Sequence, residues 1–177
     1  MSNYRRDFTE GAMYFFTIVL LDRKSTLLTD FIADFREAYR EVQSYYPFET
    51  IAIVVLPDHF HIIMQLPEGD SHYSRRIGVI KTNFSRRIKN RTDKTASQLK
   101  KREKGIWQRR FWEHLIRDDL DLNNHMDYIY YNPVKHGYVT KVSDWQYSSF
   151  HRDVRRGIFD EDWGGDIGNE IFRFDFE

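Results

Sequence analysis

Residues 48–67, FETIAIVVLPDHFHIIMQLP, hold two runs of mostly apolar, partly β-branched side chains separated only by Pro57 and Asp58. Two such runs with so tight a connection predict adjacent antiparallel strands. The first run is apolar on both faces, which predicts a central strand. A chain that commits to this hairpin must build a sheet around it and cover the apolar surface with helices.

The flanking sequence can do both. Ala12 to Leu21 is apolar after a basic start, but no small-residue cleavage site follows and the run is too short for a bilayer, so it reads as a first strand. Thr26 to Tyr46 places Leu28, Phe31, Ile32, Phe35, Ala38, Tyr39 and Val42 at helical spacing, which predicts one amphipathic helix closed by Pro47. Ser71 to Asn90 predicts a second helix with Ile77, Ile80, Phe84 and Ile88 inward. A basic loop, RTDKTASQLKKREKG, leads to a fourth strand in IWQRRFWEHLIRD and a third helix from Leu120 to Asn132, stopped by Pro133. The order β, α, β, β, α, β, α is that of an α+β fold. It predicts a small antiparallel sheet of the ferredoxin-like, split βαβ type, with helices mainly on one face and the other face left for a site.

At 177 residues, 41% hydrophobic and 16% aromatic, the chain can bury a substantial core in one domain. It has no cysteine, which excludes disulfides, zinc–thiolate sites and cysteine nucleophiles and fits a reducing cytoplasm. Any bound metal must use nitrogen or oxygen ligands. Formal charge is zero, yet it is segregated: Arg75 to Arg110 carries fourteen Lys/Arg against Asp93 and Glu103, whereas Gly157 to Glu177 carries seven acids against Arg173. The basic segment can track phosphates and the acidic one can compete for it, although solvated helices and loops also look this way. Arg75, Arg76, Arg86, Arg87, Lys89, Lys100, Lys101, Arg102 and Lys104 are the candidate phosphate contacts. Trp107 and Trp112 are either base-stacking platforms or core.

His59 and His61 stand one residue apart in the second run of the hairpin. Alternate residues of a strand share a face, so both imidazoles point one way and Phe60, Ile62 and Met64 the other. Two rings fixed on one rigid strand can approach one ion together, and an imidazole without partners would be costly there. In the third helix Leu122, Met126 and Ile129 form the stripe expected to face the sheet, while His125, Tyr128 and Asn132 form a second stripe about a quarter turn away. Asn132 lies one turn beyond Tyr128 and its amide oxygen can add a third, neutral ligand. Tyrosines at this spacing also simply pack, and Tyr130 and Tyr131 are read as packing or surface residues. His114 and His136 are left out of the catalytic set, His136 as a helix cap.

LPDHFHIIMQLPEGD, IWQRRFWEHLIR, MDYIYYNPVKHGYV and SDWQYSSFHRDVRRG, in this order, resemble the REP-associated tyrosine transposases, a branch of the single-tyrosine HUH transposases related to the insertion-sequence-200 group. The likeness runs from Tyr4 to about Gly165. It implies an HUH domain over 1–156 followed by an acidic tail, 157–177, with the helix of the catalytic tyrosine near the second face of the sheet. It implies His59 and His61 as the HUH pair, Tyr128 as nucleophile, Asn132 as third metal ligand and Mg²⁺ or Mn²⁺ as the ion. The implied activity is cleavage and strand transfer of single-stranded or hairpin DNA of the REP type through a covalent 5′-phosphotyrosine. Such a protein is expected in the cytoplasm, associated with the nucleoid, as a monomer, with a dimer as the alternative. Two other readings stay open: a hairpin-binding protein whose catalytic residues are idle, and a metal-dependent hydrolase of small phosphoesters.

Overall fold

The structure is a computed structural model and describes residues 6–89 and 105–164. In chain order it contains β1 (Met13–Val19), α1 (Leu27–Asp30), α2 (Ile32–Tyr45), β2 (Glu49–Val55), β3 (His59–Gln65), α3 (Tyr73–Ile88), β4 (Trp112–Leu115), α4 (Asp119–Lys135), a 3-10 turn (Val142–Asp144) and α5 (Phe150–Arg155). The four strands form one antiparallel sheet in the order β2-β3-β1-β4. This is the expected α+β arrangement.

Its two faces are covered differently. Tyr14, Phe16 and Ile18 of β1 and Phe60, Ile62 and Met64 of β3 pack with Phe35, Ala38 and Val42 of α2 and Ile77, Ile80 and Phe84 of α3. Phe15, Ala52, Val54 and Ile63 look the other way and pack with Met126, Tyr128, Ile129 and Tyr130 of α4. Period-two alternation in the strands sets this division. The sheet is therefore sandwiched, with α4 alone among the long helices on the second face.

Four expectations need correction. β2 is an edge strand, not a central one. Its free edge is covered by the C-terminal segment: the Val55 N–H donates to Tyr147 O (2.8 Å), Ser149 N–H to Ile53 O (2.9 Å), and the Arg152 guanidinium to the carbonyls of Thr50 and Ile51. That cover allows an edge strand to stay apolar on both faces.

The expected single helix over 26–46 is broken at Phe31, whose ψ of 37° leaves helical geometry between α1 and α2. The fourth strand is shorter than the 106–118 run: β4 covers Trp112–Leu115, and Trp107 makes only an isolated bridge to Leu20.

Pro133 does not stop the third helix, which continues to Lys135. The proline sits in the last turn, so its missing N–H removes one hydrogen bond and propagates no further. The end is closed by His136 N–H to Asn132 O, Gly137 N–H to Val134 O and Tyr138 N–H to Pro133 O, with Gly137 at φ +72°. A left-handed glycine just past the last turn is the usual way a helix terminates.

Candidate functional site

The strand register aligns the site before any helix is added. Val54, His61, Thr17 and Trp112 form one cross-strand row on the α4 face, and Ala52, Ile63, Phe15 and His114 the next. His59 lies beyond His61, opposite Val19. Both histidines are buried and their rings meet at 4.9 Å.

Each ring is fixed through Nδ1. His59 Nδ1 donates to Asp58 Oδ1 at 2.7 Å, and His61 Nδ1 is bonded to Thr17 Oγ1 at 2.9 Å. Burial by itself pushes the Asp58 carboxyl up, but the hydrogen bond and charge of His59 and the Arg23 guanidinium 2.8 Å away hold it below its ordinary value. A carboxylate behind an imidazole orients the ring and makes Nε2 the better ligand atom.

Helix α4 brings Tyr128 to this pair. Its ring lies edge-on to His61 with centroids 5.2 Å apart and edge-on to Phe15 at 6.0 Å. Tyr128 is 1% exposed, so it lies inside the packed face rather than at its edge. Eight residues on, His136 stands 5.3 Å from the ring of His59. Positions 128, 132 and 136 share one side of the helix. Asn132, flanked by the residues that touch His61 and His59, is fully buried, and neither its amide nitrogen nor its oxygen has a hydrogen-bond partner among the described residues. A buried amide in this condition forfeits its hydration without return unless something else occupies it.

Lys135 was not singled out by the sequence reading. Its Nζ stands 5.0 Å over the Tyr128 ring and 3.5 Å from the phenol oxygen, long for a hydrogen bond but close for a cation. Burial pushes the neighbouring Asp127 carboxyl up to about 6. Tyr130 is buried on another side, where its hydroxyl donates to Asp153 and meets Ser149 at 3.1 Å. Its role is to dock α4 on α5.

The two excluded histidines divide. His136 caps α4, as expected, and also packs on His59. His114 joins His125 and Asp121 in a cluster separated from His61 by Phe15, whose ring lies 4.8 Å from His125 and 5.6 Å from His61.

The candidate phosphate contacts fare unevenly. Arg75, Arg86 and Lys89 are exposed along α3. Arg76 is 3% exposed and its guanidinium donates to both Asp70 oxygens and to the carbonyls of Tyr46 and Pro47, so it is committed to the fold. Arg87 is paired with Glu37 and Glu41. Lys100, Lys101, Arg102 and Lys104 lie outside the described residues. Trp107 is core, with its indole N–H on Lys81 O and Ser85 Oγ, whereas Trp112 is 43% exposed on the same face as His61.

The profile of the family "Transposase IS200 like" matches residues 9–132, which include His59, His61, Tyr128 and Asn132. This chain belongs to the IS200-like transposase family. It is 63% identical over 166 residues to a protein of Haemophilus influenzae named as a REP-associated tyrosine transposase, with 93% of this chain and 94% of that one aligned. It is 48% identical over 167 residues to the REP-associated tyrosine transposase of Escherichia coli strain K12, covering 94% and 93%. A solved structure of a REP-associated tyrosine transposase bound to a REP hairpin superposes with a TM-score of 0.82 at 48% identity, covering 95% of this chain and 94% of that one. No helix among the described residues is long and apolar enough to cross a membrane.

Proposed function

We propose that this transposase-family chain is a metal-dependent endonuclease and strand transferase of single-stranded or hairpin DNA, working through a covalent 5′-phosphotyrosine on Tyr128. The observation that carries the reading is the meeting of Tyr128 with His61 inside one chain, with the buried, unbonded Asn132 one turn further along. Because nucleophile and histidines come from the same chain, the site is complete in a monomer.

His59, His61 and Asn132 fit a divalent ion. Each imidazole has Nδ1 engaged, which presents Nε2, and the amide of Asn132 has no hydrogen-bond partner among the described residues. When bound, Mg²⁺ or Mn²⁺ would supply Lewis-acid charge to the scissile phosphate. The imidazoles make Mn²⁺ the more comfortable of the two.

The protein's own groups do the rest. Tyr128 Oη forms the bond to phosphorus, the phosphorus–O3′ bond breaks, and the departing oxygen takes a proton to become a 3′-hydroxyl. A phenol with an ordinary pKa of about 10 attacks poorly until it loses its proton, and the Lys135 ammonium beside it favours the phenolate. Phe15 wedges against both rings and fixes their relative angle. The phosphotyrosine conserves the phosphodiester energy, so a 3′-hydroxyl of another strand can reverse the step without ATP.

For the substrate, Arg75, Arg86 and Lys89, with Lys100, Lys101, Arg102 and Lys104 beyond them in the chain, provide the phosphate track, and Trp112 a stacking surface beside the site. The relative solved with a REP hairpin makes REP-type hairpins the first substrate to test. A DNA partner fits a cytoplasmic, nucleoid-associated protein. Incubation with end-labelled hairpin oligonucleotides carrying single-stranded flanks and Mn²⁺, followed by denaturing electrophoresis, should give a protein-linked 5′ product and a free 3′-hydroxyl fragment. Salt-sensitive binding with no adduct under any divalent ion would instead identify an idle hairpin-binding protein.

A further inference from the structure

We infer that His114, Asp121 and His125 form a second metal site, separate from His59, His61 and Asn132, which takes a transition-metal ion of the Zn²⁺, Co²⁺ or Ni²⁺ class and fastens α4 to β4. Asp121 and His125 are one turn apart on α4, and His114 faces them from β4. The Asp121 carboxylate bridges the nitrogen edges of the two rings: Oδ2 is 2.8 Å from His114 Nε2 and Oδ1 is 3.0 Å from His125 Nδ1, which also lies 2.8 Å from the Asp121 backbone carbonyl. The two imidazoles are stacked with centroids 4.6 Å apart and 17° between their planes. One ligand atom from each of the three lies within 4.8 Å of the others.

The two carboxylate–imidazole separations are near the roughly 3.4 Å edge of a tetrahedron with ~2.1 Å bonds, so an ion would take the place of the protons now shared there and draw the two imidazoles in. The donor set decides the kind of ion. Two imidazoles and one carboxylate suit borderline metals, whereas Mg²⁺ prefers oxygen ligands and keeps its water. The carboxylate is held in place from the loop as well: Oδ2 accepts the Arg117 N–H at 3.0 Å. His125 is buried, while His114 and Asp121 are partly exposed, which leaves an entry path.

The position gives the ion a mechanical role. His125 precedes Tyr128 by one turn, and β4 is the edge strand opposite β2. The described contacts of α4 run chiefly to β2, β3 and the 3-10 turn. A metal between His114 and His125 would tie the start of the nucleophile's helix to the fourth strand, where a His–Asp hydrogen bond otherwise does so. Binding of this ion does not depend on DNA cleavage.

The test uses the full chain and metal alone. A His59→Ala/His61→Ala variant removes the first site. Titrated calorimetrically with Zn²⁺, it should still bind one equivalent, its melting temperature should rise with Zn²⁺, and Co²⁺ should produce visible d–d absorption. Adding His114→Ala or Asp121→Asn should weaken Zn²⁺ by more than the roughly 10–100-fold cost of losing an outer-shell partner. The Asp121→Asn form, with circular dichroism as the check, serves if His114→Ala does not fold. Absence of Zn²⁺ binding in the His59→Ala/His61→Ala variant would overturn the inference. So would binding unchanged by Asp121→Asn and His114→Gln, which would place the ion on other histidines.

Discussion

The ammonium of Lys135 sits 5.0 Å above the ring of Tyr128, about two helical turns further along the same helix. A cation there favours the phenolate over the phenol. Lys135→Gln should slow adduct formation by about 10- to 100-fold, less than the roughly 100- to 1,000-fold of a fully buried electrostatic contact because the lysine is partly exposed. An unchanged rate of adduct formation would remove Lys135 from the mechanism.

Asn132 is buried and its amide has no hydrogen-bond partner among the described residues, which costs about 1–3 kcal/mol in desolvation. Asn132→Leu has similar volume and removes that cost. In chelator the variant should unfold at a higher temperature than the parent, while its Mn²⁺ affinity should fall by about 10-fold or more. A variant that is less stable without metal would mean that the amide serves the fold and not an ion.

Asp70 and Arg76 offer a stability prediction away from the site. Arg76 hydrogen bonds hold the Asp70 carboxyl below its ordinary value. A depressed carboxylate adds stability that is present above the unfolded value of about 3.9 and is lost as pH falls through the folded value. Asp70→Asn should cost about 2 kcal/mol at pH 7, less than a fully buried pair because Asp70 is partly exposed and Arg76 keeps two carbonyls. Denaturant melts should show the gap closing below pH 4. A gap independent of pH would assign the effect to packing.

Trp112 lies across Thr17 from His61 and is exposed on that face. Stacking on an aromatic is worth about 1–3 kcal/mol per base. Trp112→Ala should therefore weaken binding of a hairpin with a single-stranded flank by about 5- to 100-fold and leave a blunt hairpin nearly unaffected. Equal loss for both would point to a change in the fold.

The parts of this site written into single elements were legible in the sequence. Period two put His59 and His61 on one face, and period 3.6 put Tyr128 and Asn132 on one stripe. Contacts between elements were not. Thr17 and Phe15 reach His61 only through strand register, and the cover over β2 comes from residues almost a hundred positions away. Pro133 predicts a stop, which hides Lys135 from the helix that carries Tyr128. Gly137, four residues later, was the available signal for the true end. Asp58 was read as a turn residue, although its place directly before His59 suits it equally to hold an imidazole. His114 and His125 come together with Asp121 only through the packing of β4 on α4, which no single element shows.

The account rests on Tyr128 being the residue that becomes linked to DNA. Trapping the protein with a labelled hairpin in Mn²⁺, digesting the adduct and sequencing the modified peptide by mass spectrometry tests this directly. The 5′-phosphodeoxynucleotide should map to Tyr128, with Tyr128→Phe giving no adduct and both Tyr130→Phe and Tyr131→Phe retaining it. A label on Tyr130, Tyr131 or any other side chain, or an undiminished adduct from Tyr128→Phe, would contradict it.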